Sequence, residues 1–159
     1  MINSPLALPI LIGTGLFSAC SDARYRRLSN TLVALTAICG IVLTVSAGGV
    51  AAASTHLLHA GIALLIGLPL FGWGLIGGGD VKYYSAAAAW FPLDQGFRLL
   101  AFVSFAGMVL AAGWLIGQRT GLLAKRGRNA PPGNPHADKV PFGIAIATGA
   151  ILAALAGPQ

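Results

Sequence analysis

Gly61-Ile62-Ala63-Leu64-Leu65-Ile66-Gly67-Leu68-Pro69-Leu70-Phe71-Gly72-Trp73-Gly74-Leu75-Ile76 runs without a charged side chain and ends on Gly77-Gly78-Gly79-Asp80. The apolar stretch that contains it, 56–76, has the roughly 20 residues a helix needs to cross about 30 Å of hydrocarbon. Five further apolar runs lie around it, at 4–21, 31–53, 81–93, 97–117 and 141–157. At lipid depth every backbone polar group must be satisfied within the chain, which leaves helices or closed barrels. Runs of Ala, Leu and Gly without two-residue alternation select helices. The expected fold is therefore all-α, a polytopic membrane protein with about six transmembrane helices, residues 1–159 forming a single membrane-embedded domain. The fourth run is short for a full crossing and rests partly on the need for alternation between its neighbours.

Composition agrees with that class. Hydrophobic residues make up 56% of the chain and charged ones 9%, outside the range of soluble globular domains and too apolar to leave room for one. The formal net charge of +6 could suggest nucleic acid, but the ten basic residues sit in short loops between apolar runs, where they set topology first. With six alternating spans and the N-terminus outside, loops 22–30, 77–82 and 118–140 are cytosolic. They hold every basic residue except Arg98. The opposite orientation would place nearly all of them on the wrong side. Phe17-Ser18-Ala19-Cys20 imitates a lipoprotein cleavage box, yet no Lys or Arg precedes the apolar run and the basic cluster Arg24, Arg26, Arg27 follows it. That order reads as a retained first span. The segment from Arg119 to Val140, rich in Gly, Pro and basic residues, is expected to be a flexible cytosolic loop touching anionic headgroups. Membrane lipids are thus expected partners, and nucleic acid is not.

The chain has no Glu and four Asp, at 22, 80, 94 and 138, so each acid is informative. Asp22 closes the first apolar run and Asp80 closes the third. The intervening residues suffice for two spans and a turn, which return the chain to the side it left. Both carboxylates are then expected at one membrane depth, where an ionisable group is costly without a partner, water or a function. Paired carboxylates suit peptide hydrolysis, because close like charges share a proton and one can activate water while the other polarises a carbonyl. No metal or cofactor is required. Gly77, Gly78 and Gly79 would weaken helix beside Asp80 and open the main chain to a substrate strand, although small residues also serve close helix packing.

Lys82 could tune Asp80 or contact substrate, or simply snorkel to the interface. His56 and His59 share a helix face at the expected outer turn and read as interfacial rather than metal-binding. Pro69 is expected to kink the third span. Asp94, near Arg98, and Asp138, near Lys139, read as solvated loop residues. Trp73, Trp90, Trp114, Tyr83 and Tyr84 fit interfacial anchoring or packing. Cys20 and Cys39 are too separated for a paired zinc site and behave as small hydrophobes.

Gly77-Gly78-Gly79-Asp80-Val81-Lys82 resembles the GxGD-V-K signature of the type IV prepilin peptidases. Asp22-Ala23-Arg24-Tyr25-Arg26-Arg27-Leu28-Ser29-Asn30 is similar to that family's first acidic motif, with Ser29 where the family usually has Pro. Val140-Pro141-Phe142-Gly143 resembles its third recurrent segment. The resemblance implies a bacterial inner-membrane aspartic endopeptidase with Asp22 and Asp80 catalytic and Gly77, Gly78, Gly79 and Lys82 shaping the site. It implies cleavage of a short basic leader on the cytosolic side, with prepilins and pseudopilins as substrates in pilus biogenesis and protein secretion. The compact length is similar to the small peptidases of tight-adherence, Flp-type pilus systems. The cysteine-paired cytosolic insertion of the larger, N-methylating members has no counterpart, so no methyltransferase activity is expected. Two rival readings use the same acids. One is a non-enzymatic proton-coupled transporter or pilus assembly factor. The other is an intramembrane aspartyl protease that cuts inside a helix.

Overall fold

A computed structural model describes residues 5–25, 29–120 and 142–157. Within these the chain is helical, with α1 at Ala7–Tyr25, α2 at Asn30–Gly72, α3 at Gly78–Ala88, α4 at Gly96–Arg119 and α5 at Phe142–Leu155. A single 3₁₀ turn, Leu93–Gln95, leads into α4. The sequence-derived all-α class is what the structure shows. By length and composition α2 and the segment Leu93–Arg119 are the two stretches able to cross a membrane, while Ala7–Asp22 and Phe142–Leu155 are shorter apolar helices. The expected loop 118–140 lies almost wholly outside the described residues, as do Asp138 and Pro141.

Read as one rod, the 43 residues of α2 would be about 64 Å long, twice the hydrocarbon thickness. They do not form one rod. Gly49 has φ 73° and ψ −177°, a backbone region essentially reserved for glycine, and the helix reverses there. Thr44 Oγ1 and His56 Nδ1 lie 3.4 Å apart. In a continuous helix twelve residues would separate them by about 18 Å. The two limbs, 30–48 and 50–72, correspond to the second and third apolar runs, so the described chain has six helical segments. The turn falls at Gly49 rather than at the expected 54–55.

That shift corrects the reading of the two histidines. His56 and His59 are not interfacial; each is 5% exposed, well inside the second limb. His56 Nδ1 lies 3.1 Å from the carbonyl of Ala89 and His59 Nδ1 3.0 Å from that of Phe91. A carbonyl can only accept, so Nδ1 carries the hydrogen in both rings. They satisfy backbone freed where α3 ends after eleven residues, about 16 Å and too short for a crossing by itself. Of the two expectations for Trp90, packing is the one the structure shows: the ring is buried and donates from Nε1 to the Thr36 carbonyl at 2.9 Å.

Small residues bring the segments together. Gly40 lies under the Trp90 ring, Gly67 under Val81, and Gly149 so close to α4 that a Cβ would sit 2.5 Å from Val103 Cα. Ala145, Ala147, Ala150, Ala153 and Ala154 bury α5 against α1 and α4. Between apolar helices in lipid, such close packing supplies attraction that water exclusion does not.

Candidate active site

Asp22 lies in the last turn of α1 and Asp80 in the first turn of α3. The structure brings them to the same end of the bundle, near enough for the charge of one to act on the other. Asp22 is 7% exposed, and its Oδ2 accepts a hydrogen bond of 2.8 Å from the Gly143 amide in the first turn of α5. The sequence reading did not single out Gly143 as a site residue. Three elements far apart in sequence thus meet at the aspartates.

Asp80 occupies the third position of α3, whose N-cap is Gly77. Its carboxylate reaches back to accept from the Gly77 amide, the acidic half of a capping box. Burial, and then the charge of Asp22, push the Asp80 carboxyl up to about 6, while the Gly77 bond pulls the other way. Asp80 lies between the two long apolar stretches, one residue ahead of the fourth run, and is partly exposed.

The glycine run acts differently from expectation. Gly77 has φ −71° and ψ 139°, open to any residue, and Gly78 and Gly79 are already helical. Their use is room: a Cβ on Gly77 would stand 2.7 Å from Asp80 Oδ2, and one on Gly78 3.0 Å from the Phe71 ring. The left-handed glycine is Gly74, φ +74°, which turns the chain out of α2. Pro69 lies within helical backbone three residues before the C-terminus of α2, and the break falls after it.

Lys82 stands apart from Asp80 in the structure. Two residues along a helix turn the side chain about 200°, so it leaves α3 on the face opposite Asp80. Its Nζ reaches Asn30 Oδ1 at 3.4 Å and lines a separate groove between the limbs of α2. On the Asp80 face, a cleft of about 510 Å³ runs between the second limb of α2, α4 and α5. His59, Ile62, Ile66 and Leu70 form its long wall, an apolar stripe about 16 Å in length, and Asp80 is the one acid that lines it. Beneath the aspartates Tyr83, one turn on from Asp80, meets Ser18, one turn before Asp22, and both are buried. Neither was identified from sequence as part of the site, though the four-residue and three-residue spacings put each on the face of its aspartate. Among the described residues no three metal-ligating side chains gather at one place.

A helical membrane protein with two carboxylates brought to one end of its bundle, one of them lining an apolar cleft, is the class that fold and site define. The chain matches the model of the type IV leader peptidase family over residues 9–112, about two thirds of its length. It belongs to that family. The matched stretch contains both Asp22 and Asp80. No curated protein and no solved structure matches the chain.

Proposed function

We propose that the chain is a membrane aspartyl endopeptidase that removes the leader from Flp-type prepilins and pseudopilins on the cytosolic side of the bacterial inner membrane. The observation that carries this reading is the convergence of Asp22 and Asp80 at one end of the bundle, with Asp80 lining an apolar cleft. The pair activates water: one carboxylate takes a proton from it as it adds to the scissile carbonyl, and the other gives a proton to the carbonyl oxygen. Returning the protons releases the amine of the mature chain. The apolar stretch that follows the leader lies along the cleft, which sets the scissile bond at its acidic end. Six spans with the N-terminus outside and the site facing the cytosol complete the proposal, supported by the basic-residue bias and the six helical segments. Gly77, Gly78 and Gly79 give the room in which Asp80 and a substrate strand approach.

The test is co-expression with a prepilin followed by N-terminal sequencing of the product. Asp22→Asn and Asp80→Asn are each expected to abolish cleavage while the protein still inserts in the membrane. Full processing by either variant would refute the mechanism.

A further inference from the structure

We infer that the groove on the Lys82 face of α3 is a binding site for an anionic phospholipid, with the phosphate on Lys82 and Asn30 and one acyl chain laid between the limbs of α2. The inference goes beyond the peptidase reading and does not depend on it. This groove is separate from the cleft at Asp80, because Lys82 and Asp80 leave α3 on opposite faces.

Its shape follows from the spacing of the residues on its walls. Asn30, Ala34, Ile38 and Val42, each four residues on from the last, make one continuous stripe along the first limb, about 18 Å long. Leu57 and Leu64 of the second limb form the other wall, with the buried Ala86 and Ala89 of α3 beneath. Faces of such small residues ordinarily draw membrane helices together. Here no described helix closes over them, and Ile38, Val42 and Leu57 are each more than half exposed. The space left is about 570 Å³, which over that length is a channel roughly 6 Å across. A helix with its side chains measures about 10–12 Å and does not fit within it. A single hydrocarbon chain does, and the length of the groove is close to the depth of one leaflet, half of about 30 Å.

Charge decides which amphiphile fits. Lys82 is the one charged residue among the described residues that line the groove. Ser85, the lining hydroxyl, is already engaged, its Oγ donating to the Ala60 carbonyl at 2.7 Å. The polar capacity therefore lies at one end, where Lys82 Nζ and Asn30 Oδ1 are 3.4 Å apart. That bond is longer than a strong N–H···O contact and uses one of three ammonium donors. The other two, with the Asn30 side-chain amide, are placed to bind phosphate oxygens at the end of the groove. Phosphatidylglycerol brings a net negative headgroup, whereas phosphatidylcholine carries its own cation beside the phosphate. Basic pockets between membrane helices hold anionic headgroups in this way, and one lysine corresponds to about fivefold in occupancy.

Photolabelling of the full chain in phosphatidylcholine liposomes tests the inference, using a trace of phosphatidylglycerol or of phosphatidylcholine with a diazirine in one acyl chain. Label is expected within residues 38–42 or 57–64, about fivefold stronger from the anionic probe. Lys82→Gln should bring the two probes to one level, and Lys82→Arg should keep most of the difference. Ala34→Phe, at an exposed position, puts a ring in the groove and should remove the label with the charge intact. Equal labelling by the two probes in the wild type, a difference that survives Lys82→Gln, or label that persists in Ala34→Phe would each overturn the inference. Absence of label in the groove would overturn it as well, and disulfide formation between two copies carrying Ile38→Cys would then name a second copy as the occupant. Should Lys82→Gln not fold, the two probes compared on the wild type and on Ala34→Phe still decide. Neither measurement reads cleavage, so failure of the peptidase reading leaves the result standing.

Discussion

Asp80 is stabilised by its helix and destabilised by its surroundings, and the balance has a measurable sign. Its carboxyl ordinarily titrates at 3.8 and here at about 6, so between those values the folded protein binds more protons than the unfolded chain. The associated stability is complete below the lower value and is lost as pH rises through the upper one. Asp80→Asn removes the ionisable group. In detergent the wild-type Tm should therefore fall relative to that of Asp80→Asn as pH is raised from about 4 to about 7, and parallel curves would show that Asp80 is not so perturbed. Gly77→Ala separates geometry from folding at the same site. Alanine fits φ −71° and ψ 139°, and the atom its Cβ meets is the movable Asp80 Oδ2, so the fold has little reason to object. Cleavage should drop roughly tenfold to hundredfold with Tm nearly unchanged, assayed on the same preparation. The sequence made the meeting of Asp22 and Asp80 legible, because charge bias and span count need no side-chain geometry. It left the direction of Lys82 open, since the start of α3 at Gly78 has to be known before the residue's face can be read. It assigned Gly143 no role beyond its place in the Val140–Gly143 segment, because what the amide does arises only when α5 packs on α1 and leaves no room for a Cβ beside Asp22.

Among the elements, glycines with identical sequence signals do opposite jobs. Gly49 has nothing within 4 Å of a would-be Cβ, and its φ alone demands glycine. Gly149 has ordinary helical backbone and no space, since Val103 Cα and N stand 2.5 and 2.7 Å from a Cβ. A backbone cannot step aside as a carboxylate can. Gly149→Val should force α5 from α4 and reduce the yield of folded protein in mild detergent far more than Gly13→Val, where a Cβ meets nothing within 4 Å. Equal yields would mean that the α4–α5 contact is not what holds α5 in place. Ser29 has a comparably local explanation. Its hydroxyl accepts from the Thr31 amide at 3.2 Å and caps α2, which is why serine serves where the family usually has proline. Its φ of −65° is also proline's own, so the two residues answer one backbone requirement in two ways. The helix-spacing of His56 and His59 is readable from sequence. Their partners are not, because the apolar runs 31–53 and 56–76 place the turn at 54–55 and the histidines at that outer turn, whereas the chain reverses at Gly49.

At the scale of the whole molecule, the reversal at Gly49 decides how many times the chain crosses. The hairpin puts Asn30 and Gly67 at the end of the bundle occupied by Lys82 and Val81, and Gly49 at the other. Single cysteines can test this in intact cells after Cys20 and Cys39 are replaced by alanine. A cysteine at Ala51, two residues past the turn and exposed, should react with a membrane-impermeant maleimide added from outside. A cysteine at Leu75, 69% exposed beside the site, should react only after the membrane is permeabilised. With the N-terminus outside, the first limb of α2 starts on the cytosolic face and the second returns to it, so the two positions must differ in sidedness. Labelling of both from outside would remove the cytosolic site and, with it, cleavage before the leader's release into the membrane. Labelling of Leu75 alone would invert the topology and contradict the placement of the basic loops. The expected pattern would place the aspartates where a substrate held in the membrane by its apolar stretch still presents its basic leader to the cytosol. A cleft apolar along its length, with its one lining acid near the α3 end, suits a substrate held in that way.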